Sequence, residues 1–319
     1  MIRVNNIHLS LDYDDKSVRK AVAQQLRIEE KSIKSCKIFR RSVDARKKDN
    51  IYFLTTIDAE LNINEDKVCK KCGNAQIARK YEYNQMKFGN APSPVVVGAG
   101  PAGLFAALIL ARSGAKPILI ERGRDVDRRT ADVNRFWTSG KLDITSNVQF
   151  GEGGAGTFSD GKLNSGTKDI RQRKVLEEFV SHGAPDEILY NAKPHIGTDM
   201  LKGTIKNIRN EIIELGGRVM FETKLVSMAF SDNKLKAITV ETANGDEIIE
   251  TDNVILAIGH SARDTFEMLY DLKLPIEAKP FSVGARIEHL RQKVDKAQYG
   301  RFAGNKKLGS ANYKLSTHL

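Results

Sequence analysis

The first quarter of the chain has the hydrophobic pattern of a small α+β domain. Apolar and polar residues alternate over Ile2–Leu9, which is typical of a strand with one buried face. Apolar residues four positions apart over Lys16–Leu26 predict a helix. Two further strands are predicted over Ile33–Val43 and Ile51–Ile57, followed by a weaker helix over Glu65–Ala78. This order of elements indicates a ferredoxin-like arrangement.

A strand–turn–helix–strand pattern follows the linker Phe88–Pro94. Val95–Val97 and Ile118–Ile120 are short, wholly apolar strands of the kind that is buried on both faces of a parallel sheet. Between them lie the glycine-rich turn Gly98–Gly103 and the Ala- and Leu-rich helix Leu104–Ser113. The segment therefore reads as one complete β-α-β unit.

Each glycine of this turn meets a separate requirement of a dinucleotide site. Gly98 permits the tight turn, Gly100 lets a pyrophosphate approach the backbone, and Gly103 lets the helix pack closely on the strand. The helix N-terminus offers N–H groups and a positive dipole end to the phosphates. Glu121 lies 23 residues after Gly98, where it can accept hydrogen bonds from a ribose and disfavours a 2′-phosphate. The residues of this unit predicted to bind the cofactor are Gly98, Gly100, Pro101, Ala102, Gly103 and Glu121.

The second half of the chain continues a mixed α/β pattern. Leu201–Leu215 has the spacing of an amphipathic helix, Asn244–Asp246 is the turn of a predicted hairpin, and Asn253–Gly259 is an apolar strand that ends in glycine. The predicted fold class is α/β: a Rossmann-like dinucleotide-binding domain with an inserted mixed α/β substrate lobe, preceded by the ferredoxin-like domain. The predicted boundaries are 1–88 for the small basic domain, 93–164 and 251–285 for the Rossmann-like domain, 165–250 for the lobe, and 286–319 for the start of an incomplete C-terminal segment.

Composition narrows the class of protein. The chain has 319 residues, 40% of them hydrophobic and 29% charged, as in ordinary globular domains. No apolar stretch approaches the roughly 18–20 residues of a membrane helix, so no membrane partner is expected. The cysteines Cys36, Cys69 and Cys72 are too few for a disulfide framework, which favours a reducing cytoplasm.

Positive charge is concentrated at the two ends of the chain. Residues 1–90 carry a net charge of +7 and residues 286–319 a net charge of +6, whereas the residues between them carry −2. Basic surfaces attract nucleic acid, but no zinc finger, RNP-like string or interleaving of basic and aromatic residues accompanies this charge. A solvated lysine-rich surface is the simpler interpretation, and nucleic acid is not an expected partner.

A second glycine-rich segment, Gly151–Gly161, contains five glycines in eleven residues. Such a loop packs through its backbone rather than its side chains, and its N–H groups could stabilise negative charge on a bound group. Surface flexibility is the alternative interpretation. The polar residues that it presents are Thr157, Ser159, Asp160 and Lys162, of which Asp160 and Lys162 are candidates for catalysis.

Histidines supply the other candidates for chemistry. His260 follows the late apolar strand, and its unperturbed pKa of about 6.5 suits proton transfer; support of the following helix is an equally good explanation. His195 and Asp199 are too few to form a metal site, and we expect Thr198 or Asp199 to be the N-cap of the next helix. No metal is predicted.

Cys69 and Cys72 form a CxxC motif without a second pair or a nearby histidine. Lys70 and Lys71 could lower the pKa of these thiols and make them redox-active. Incidental cysteines in the basic domain are the simpler interpretation.

Several longer sequence segments resemble those of a known protein family. The string Gly98–Leu104, with Glu121–Gly123, resembles the FAD-binding unit of two-dinucleotide-fold flavoproteins. The chain as a whole resembles the bacterial FAD-dependent, or NAD(FAD)-utilising, dehydrogenases. The strings that carry this second resemblance are Arg41–Lys47, Asn147–Leu163, Lys193–Asp199, Leu256–Thr265 and Lys279–His289.

The resemblance implies FAD as cofactor and adds residues to its predicted site. The glycine-rich loop would lie against the flavin, and the Val226 amide near the adenine. The residues added in this way are Arg122, Gly153, Gly154, Thr157, Ser159, Val226, Ala257 and Gly259. Members of the family look longer than 319 residues, so this chain is expected to be C-terminally truncated.

The expected function is an FAD-dependent oxidoreductase, a dehydrogenase that passes hydride or electrons between a small-molecule substrate and N5 of the flavin. A single dinucleotide fingerprint implies that NAD(P)H, if it takes part, binds only transiently. The alternatives are an NAD-dependent dehydrogenase that uses the same fingerprint, and a non-catalytic flavin-binding, regulatory or RNA-associated protein.

Overall fold

The computed structural model describes residues 1–79, 81–89, 92–158, 161–163, 169–281, 283–285 and 287–313. These residues belong to two compact units. The first unit comprises Met1–Tyr81, Leu189–Pro194 and Pro280–Leu319, and the second comprises Glu82–Ile188 and His195–Lys279.

The N-terminal part of the first unit is a four-stranded antiparallel sheet with two helices. Its elements are β1 (Ile2–Leu9), α1 (Asp15–Leu26), β2 (Ile33–Asp44), β3 (Tyr52–Leu61), α2 (Glu65–Lys71) and β4 (Ala75–Ile77). The strand order is β2-β3-β1-β4, so the ferredoxin-like arrangement is confirmed. The last helix ends at Lys71, and a short strand replaces the predicted final turns, because β4 pairs with the edge of β1.

The second unit contains a four-stranded parallel sheet and a three-stranded antiparallel sheet. Its elements are β5 (Val95–Val97), α3 (Pro101–Arg112), β6 (Ile118–Ile120), α4 (Val126–Ser139), α5 (Gln172–Ser181), α6 (Thr198–Glu214), β7 (Arg218–Met220), β8 (Lys224–Ser231), β9 (Lys234–Thr242), β10 (Gly245–Glu250), β11 (Val254–Leu256) and α7 (Arg263–Asp271). The parallel sheet has the order β11-β5-β6-β7, and the antiparallel sheet has the order β10-β9-β8. The predicted β-α-β unit and hairpin are both present.

The parallel sheet lies between two layers. On one face, Val96 and Leu119 pack against apolar residues of α3 and α6, such as Leu108 and Ile208. On the other face, the alternate residues of β5 and β6 join a cluster with β8, β9 and α7. The strand β7 belongs to the predicted lobe 165–250 by sequence but pairs with β6. Of the described strands within residues 165–250, only β8, β9 and β10 form a sheet separate from the parallel one.

The apolar core of the first unit includes residues distant in sequence. The helix α8 (Arg291–Tyr299) contributes Tyr299, and Leu308 follows it into the same buried cluster. The backbone of Arg41, in β2, pairs with the segment Leu189–Pro194 through hydrogen bonds to Tyr190 and Ala192. None of the helices in the described ranges is both long and apolar enough to cross a membrane.

Candidate dinucleotide-binding site

A cavity of about 480 Å³ opens at the carboxyl ends of β5, β6 and β11, within the second unit. This edge of a parallel α/β sheet is where ligands of such folds bind. Ten of the residues that were predicted as site residues line the cavity: Gly98, Gly100, Pro101, Ala102, Glu121, Arg122, Gly154, Ala257, Gly259 and His260.

Two glycines of the fingerprint are required by close backbone contacts. A Cβ atom on Gly98, whose φ is +102°, would lie 2.5 Å from the carbonyl oxygen of Ala257. A Cβ atom on Gly103 would lie 1.8 Å from the carbonyl oxygen of Gly98. The turn, the first strand and the end of β11 can approach one another only because both residues lack a side chain.

Gly100 differs from these two, because the space beside it is open. A Cβ atom there would meet no atom within 4 Å. Gly100 is also the N-cap of α3, no side chain caps that helix, and Pro101 occupies its first turn. The first N–H groups of a helix have no partner within the helix, so this end can receive an anion. The residues present therefore fit the pyrophosphate of a dinucleotide.

Glu121 joins three loops beneath the cavity. Its Oε2 accepts a hydrogen bond from the amide of Ala99 at 2.8 Å, and its Oε1 accepts from Gly123 at 2.9 Å and Gly151 at 3.1 Å. The side chain is buried, yet it lines the cavity. A carboxylate offers about four lone-pair positions, so a ribose hydroxyl can still donate to Oε2.

Arg122 and Lys224 share one carboxylate at the edge of the cavity. Arg122 donates to both oxygens of Asp264, at 2.9 and 3.2 Å, and Lys224 lies 2.8 Å from the same group. Burial opposes ionisation of Asp264, but the hydrogen bonds from these two cations outweigh it and hold its pKa well below the ordinary value. The cluster links the end of β6 and the start of β8 to α7.

The second glycine-rich loop surrounds a buried arginine. Arg129, in α4, is fully buried and donates to four carbonyl oxygens, two in this loop and two just before it, at 2.5 to 3.0 Å. Burial lowers the pKa of its guanidinium to about 10. A Cβ atom on Gly151, whose φ is +118°, would lie 2.4 Å from Cδ of Arg129. The acceptors of Arg129 are Asn147, Val148, Glu152 and Gly154.

Glu152 anchors the same loop from the opposite direction. Its Oε2 accepts from the amide of Val126 at 2.7 Å and from Arg209 at 2.8 Å. Burial raises the pKa of this carboxyl group. Three buried side-chain oxygens without a hydrogen-bond partner occur in the described ranges, and all lie in or beside this loop: Ser146 Oγ, Glu152 Oε1 and Thr157 Oγ1.

Several predicted site residues lie away from the cavity wall. Gly103 packs against the backbone of Gly98, and Gly153 packs against the side chains of Ile205 and the buried Thr157. Thr223, Lys224 and Leu225 line the cavity, whereas Val226 does not. Ser159 and Asp160 lie outside the described residues. Lys162 is exposed, and its backbone pairs with that of His195.

The neighbourhood of His195 corrects one expectation. The N-cap of α6 is Gly197, with φ +84° and no side-chain cap, so neither Thr198 nor Asp199 caps the helix. The positive φ is what favours glycine at this N-cap, since a Cβ on Gly197 would meet only Cε1 of His195 at 3.9 Å. The neighbouring Gly161 is required for space, because a Cβ there would lie 2.8 Å from the amide nitrogen of Gly197. Among the described residues, no three His, Cys, Asp or Glu side chains form a group that could hold a metal ion.

The CxxC motif lies at the end of α2. Cys69 and Cys72 are half-buried free thiols. Burial, followed by the nearby Asp66 and Glu65, raises the pKa of Cys69. The raised pKa of Cys69 speaks against activation by Lys70 and Lys71, the alternative that the sequence left open.

Sequence reasoning missed the charged residues Arg129, Glu152, Lys224 and Asp264. Their partners are backbone groups or side chains distant in sequence, so no local pattern marks them. Arg129 and Glu152 are charged residues at positions that are buried in the folded chain. This combination of charge and burial is the one feature that could have drawn attention to them.

Comparisons with known proteins bear on the cofactor. Residues 93–132 match the model of a family described as FAD binding domain, and residues 280–319 match "FAD-dependent protein, C-terminal domain-like". Residues 1–60 match a domain of unknown function (DUF8436). An uncharacterized protein of Clostridium beijerinckii is 46% identical over 320 residues, which cover 99% of this chain. The chain spans 59% of the length of that relative.

Two solved structures illustrate the likeness to known folds. THI4 of Thermovibrio ammonificans is 16% identical with a TM-score of 0.37, over 58% of this chain and 64% of that one. A 3-ketosteroid-Δ4-(5α)-dehydrogenase of Rhodococcus jostii RHA1 is 15% identical with a TM-score of 0.33, over 52% and 48%. At these scores neither likeness supports an argument.

The family models and the cavity geometry agree with each other. The match over 93–132 covers the β5-α3-β6 unit, whose fingerprint turn and Glu121 form the floor of the cavity. The matches to these two FAD-related families indicate that the cofactor is FAD.

Proposed function

We propose that this chain forms part of an oxidoreductase that passes hydride between FAD and a small-molecule substrate. The observation that carries the proposal is the open Gly100 position beside the uncapped N-terminus of α3, within the stretch that matches the FAD binding domain. When bound, FAD supplies the flavin N5 position that exchanges hydride with a substrate.

The residues of the chain bind and orient the cofactor. The N-terminus of α3 receives the pyrophosphate, and the free lone pair of Glu121 receives a ribose hydroxyl. Because that carboxylate would repel a 2′-phosphate, the site favours FAD or NAD over NADP. Arg122 and Lys224 contribute positive charge at the cavity edge, although Asp264 neutralises part of it.

His260 is the proposed proton donor or acceptor. It is exposed and lines the cavity directly after Gly259, so a substrate proton can reach its ring. Asp160 and Lys162 remain proposals from the sequence. Transient reduction by NAD(P)H and a cytoplasmic location are likewise proposed, the latter from cysteine usage.

The first experiment is the visible absorbance spectrum of the purified chain, with the cofactor identified after release by denaturation. We expect a flavin spectrum and about one FAD per chain. A colourless protein that takes up NAD⁺ but not added FAD would overturn the proposal. A matched measurement on the longer Clostridium beijerinckii relative tests whether the additional residues are needed to retain the cofactor.

A second experiment tests the redox activity. The FAD-loaded chain is mixed anaerobically with NADH or NADPH, and flavin bleaching is followed. Bleaching supports transient use of a nicotinamide. His260→Gln should slow turnover of a substrate that loses or gains a proton, while leaving FAD affinity unchanged. A variant that turns over at the original rate removes His260 from the reaction.

A further inference from the structure

Arg129 contacts several peptide planes at once in the start of the glycine-rich loop and the residues just before it. A guanidinium carries five N–H donors in a rigid fork. Four carbonyl oxygens accept from this fork: those of Asn147, Val148, Glu152 and Gly154. A buried charge costs free energy unless it is well paired, so the loop must keep these carbonyls directed at Arg129.

The direction of a carbonyl also fixes the N–H of the next residue. In a planar trans peptide the C=O and the following N–H point in opposite directions. The carbonyl of Gly154 accepts from Nη2 of Arg129 at 2.9 Å and more weakly from the amide of Thr157 at 3.3 Å, so the N–H of Ala155 points away from Arg129. Ala155 is exposed and lines the cavity together with Gly154.

The N–H of Ala155 is also available for a ligand. Ala155 begins a 3₁₀ turn, Ala155–Phe158, and the first N–H groups of such a turn have no partner within it. In the part of the chain that the structure describes, no residue accepts a hydrogen bond from this N–H. It is therefore an unpaired donor on the cavity wall.

This donor lies beside the fingerprint turn. A Cβ atom on Gly154 would lie 2.9 Å from Cδ of Pro101 and 3.4 Å from Cα of Gly100. The Gly154–Ala155 peptide is therefore adjacent to the N-terminus of α3. A pyrophosphate at that helix end can accept hydrogen bonds from two sides.

We propose that Arg129 is a positioning residue for the pyrophosphate of FAD. It fixes the Gly154–Ala155 peptide so that the Ala155 N–H donates to a phosphate oxygen beside the N-terminus of α3. The inference rests on FAD being the ligand of the proposed function. In addition to the fingerprint turn, the pyrophosphate site would then include the Ala155 N–H as a donor and Arg129 as the side chain that orients it.

The donor is tested by Ala155→Pro, which removes the N–H at a position where proline suits the start of a helical turn. Ala155→Ser keeps the N–H and is the matched control. Calorimetry measures the affinity for FAD, ADP and adenosine. Loss of a hydrogen bond to a charged group should weaken FAD and ADP by about 10- to 100-fold, with adenosine and the control unchanged. Equal FAD affinity of the two variants would overturn the proposal.

The positioning role is tested by Arg129→Met, with the exposed neighbour Arg128→Met as control. We expect the same selective loss of FAD and ADP, and a partial recovery in Arg129→Lys, which keeps three of the five donors. Equal weakening of all three ligands would mean that Arg129 only maintains the fold, and would overturn the role. If Arg129→Met does not fold, Arg129→Lys tests the role of Arg129, and the comparison of Ala155→Pro with Ala155→Ser tests the donor.

These outcomes are separable from failure of the proposed function. A wild-type chain that binds no FAD contradicts the function itself. A wild-type chain that binds FAD, together with an Ala155→Pro variant of equal affinity, contradicts only the inference.

Discussion

The two glycine-rich segments of the site are ordered by different means. In the first, residues 98–103, glycines allow backbone to touch backbone, as between Gly103 and the carbonyl of Gly98. In the second, residues 151–161, the first residues and those just before them surround a charged side chain, Arg129, and Gly151 makes room for it. The first segment is therefore specified within a few residues, whereas the second depends on a helix more than ten residues earlier.

The largest expected effect is on stability, and it distinguishes the tightly packed Gly103 from the open Gly100 within the first segment. Gly103→Ala places a Cβ 1.8 Å from a backbone oxygen, so we expect the free energy of unfolding to fall by about 4 kcal/mol or the fold to be lost. Gly100→Ala meets no atom within 4 Å and should change it by less than about 0.5 kcal/mol. Urea denaturation measures both variants.

Gly100→Ala tests binding separately from stability. Gly100→Ala fills the space that the pyrophosphate needs, so it should lose FAD affinity while remaining folded. If this variant binds FAD as the wild type does, the assignment of the open position to the pyrophosphate is wrong.

A smaller effect is expected from the anchor of the second segment. Glu152→Ala leaves Arg209 and the amide of Val126 without their buried acceptor, which should cost about 3 kcal/mol of unfolding free energy. Glu222→Ala removes an exposed partner of Arg124 and Arg128 and should cost at most about 1 kcal/mol. Equal losses would show that the loop does not depend on its buried anchor.

The smallest effect concerns Asp264, at the edge of the cavity. Because the pKa of Asp264 is held below its ordinary value of 3.8, its ionised form stabilises the fold above that pH, and this stabilisation is lost as the pH falls further. Asp264→Asn should therefore make the unfolding free energy fall less steeply below about pH 4 than in the wild type. The side chain is 42% exposed, so solvent screening keeps the effect small.

A control separates this carboxylate from the general effect of acid. Asp246→Asn, on the exposed hairpin strand β10, should leave the acid slope of the wild type unchanged. An Asp264→Asn variant with the wild-type slope would mean that the Arg122 and Lys224 contacts add nothing to stability.

The sequence determined the elements that depend on neighbouring residues. The strands Ile2–Leu9, Val95–Val97 and Ile118–Ile120 were predicted with their observed bounds, because alternation and short apolar runs are local signals. The fingerprint turn was identifiable because its steric requirements lie within six residues. Its spacing from Glu121 indicated the dinucleotide site.

Tertiary structure decided what depends on distant partners. The end of the predicted helix 65–78 became β4 because the edge of β1 offered hydrogen bonds to it. Gly197 became the N-cap of α6 beside Gly161, where the predicted caps were Thr198 and Asp199.

Arg129 gives the physical reason most directly. A charged residue on a helix is predicted to face solvent, since an isolated buried charge is costly. Only the folded loop supplies the four carbonyl oxygens that offset this cost. Local pattern therefore fixed the elements and the fingerprint, and the shape of the glycine-rich loop was decided by a contact that exists only in the tertiary structure.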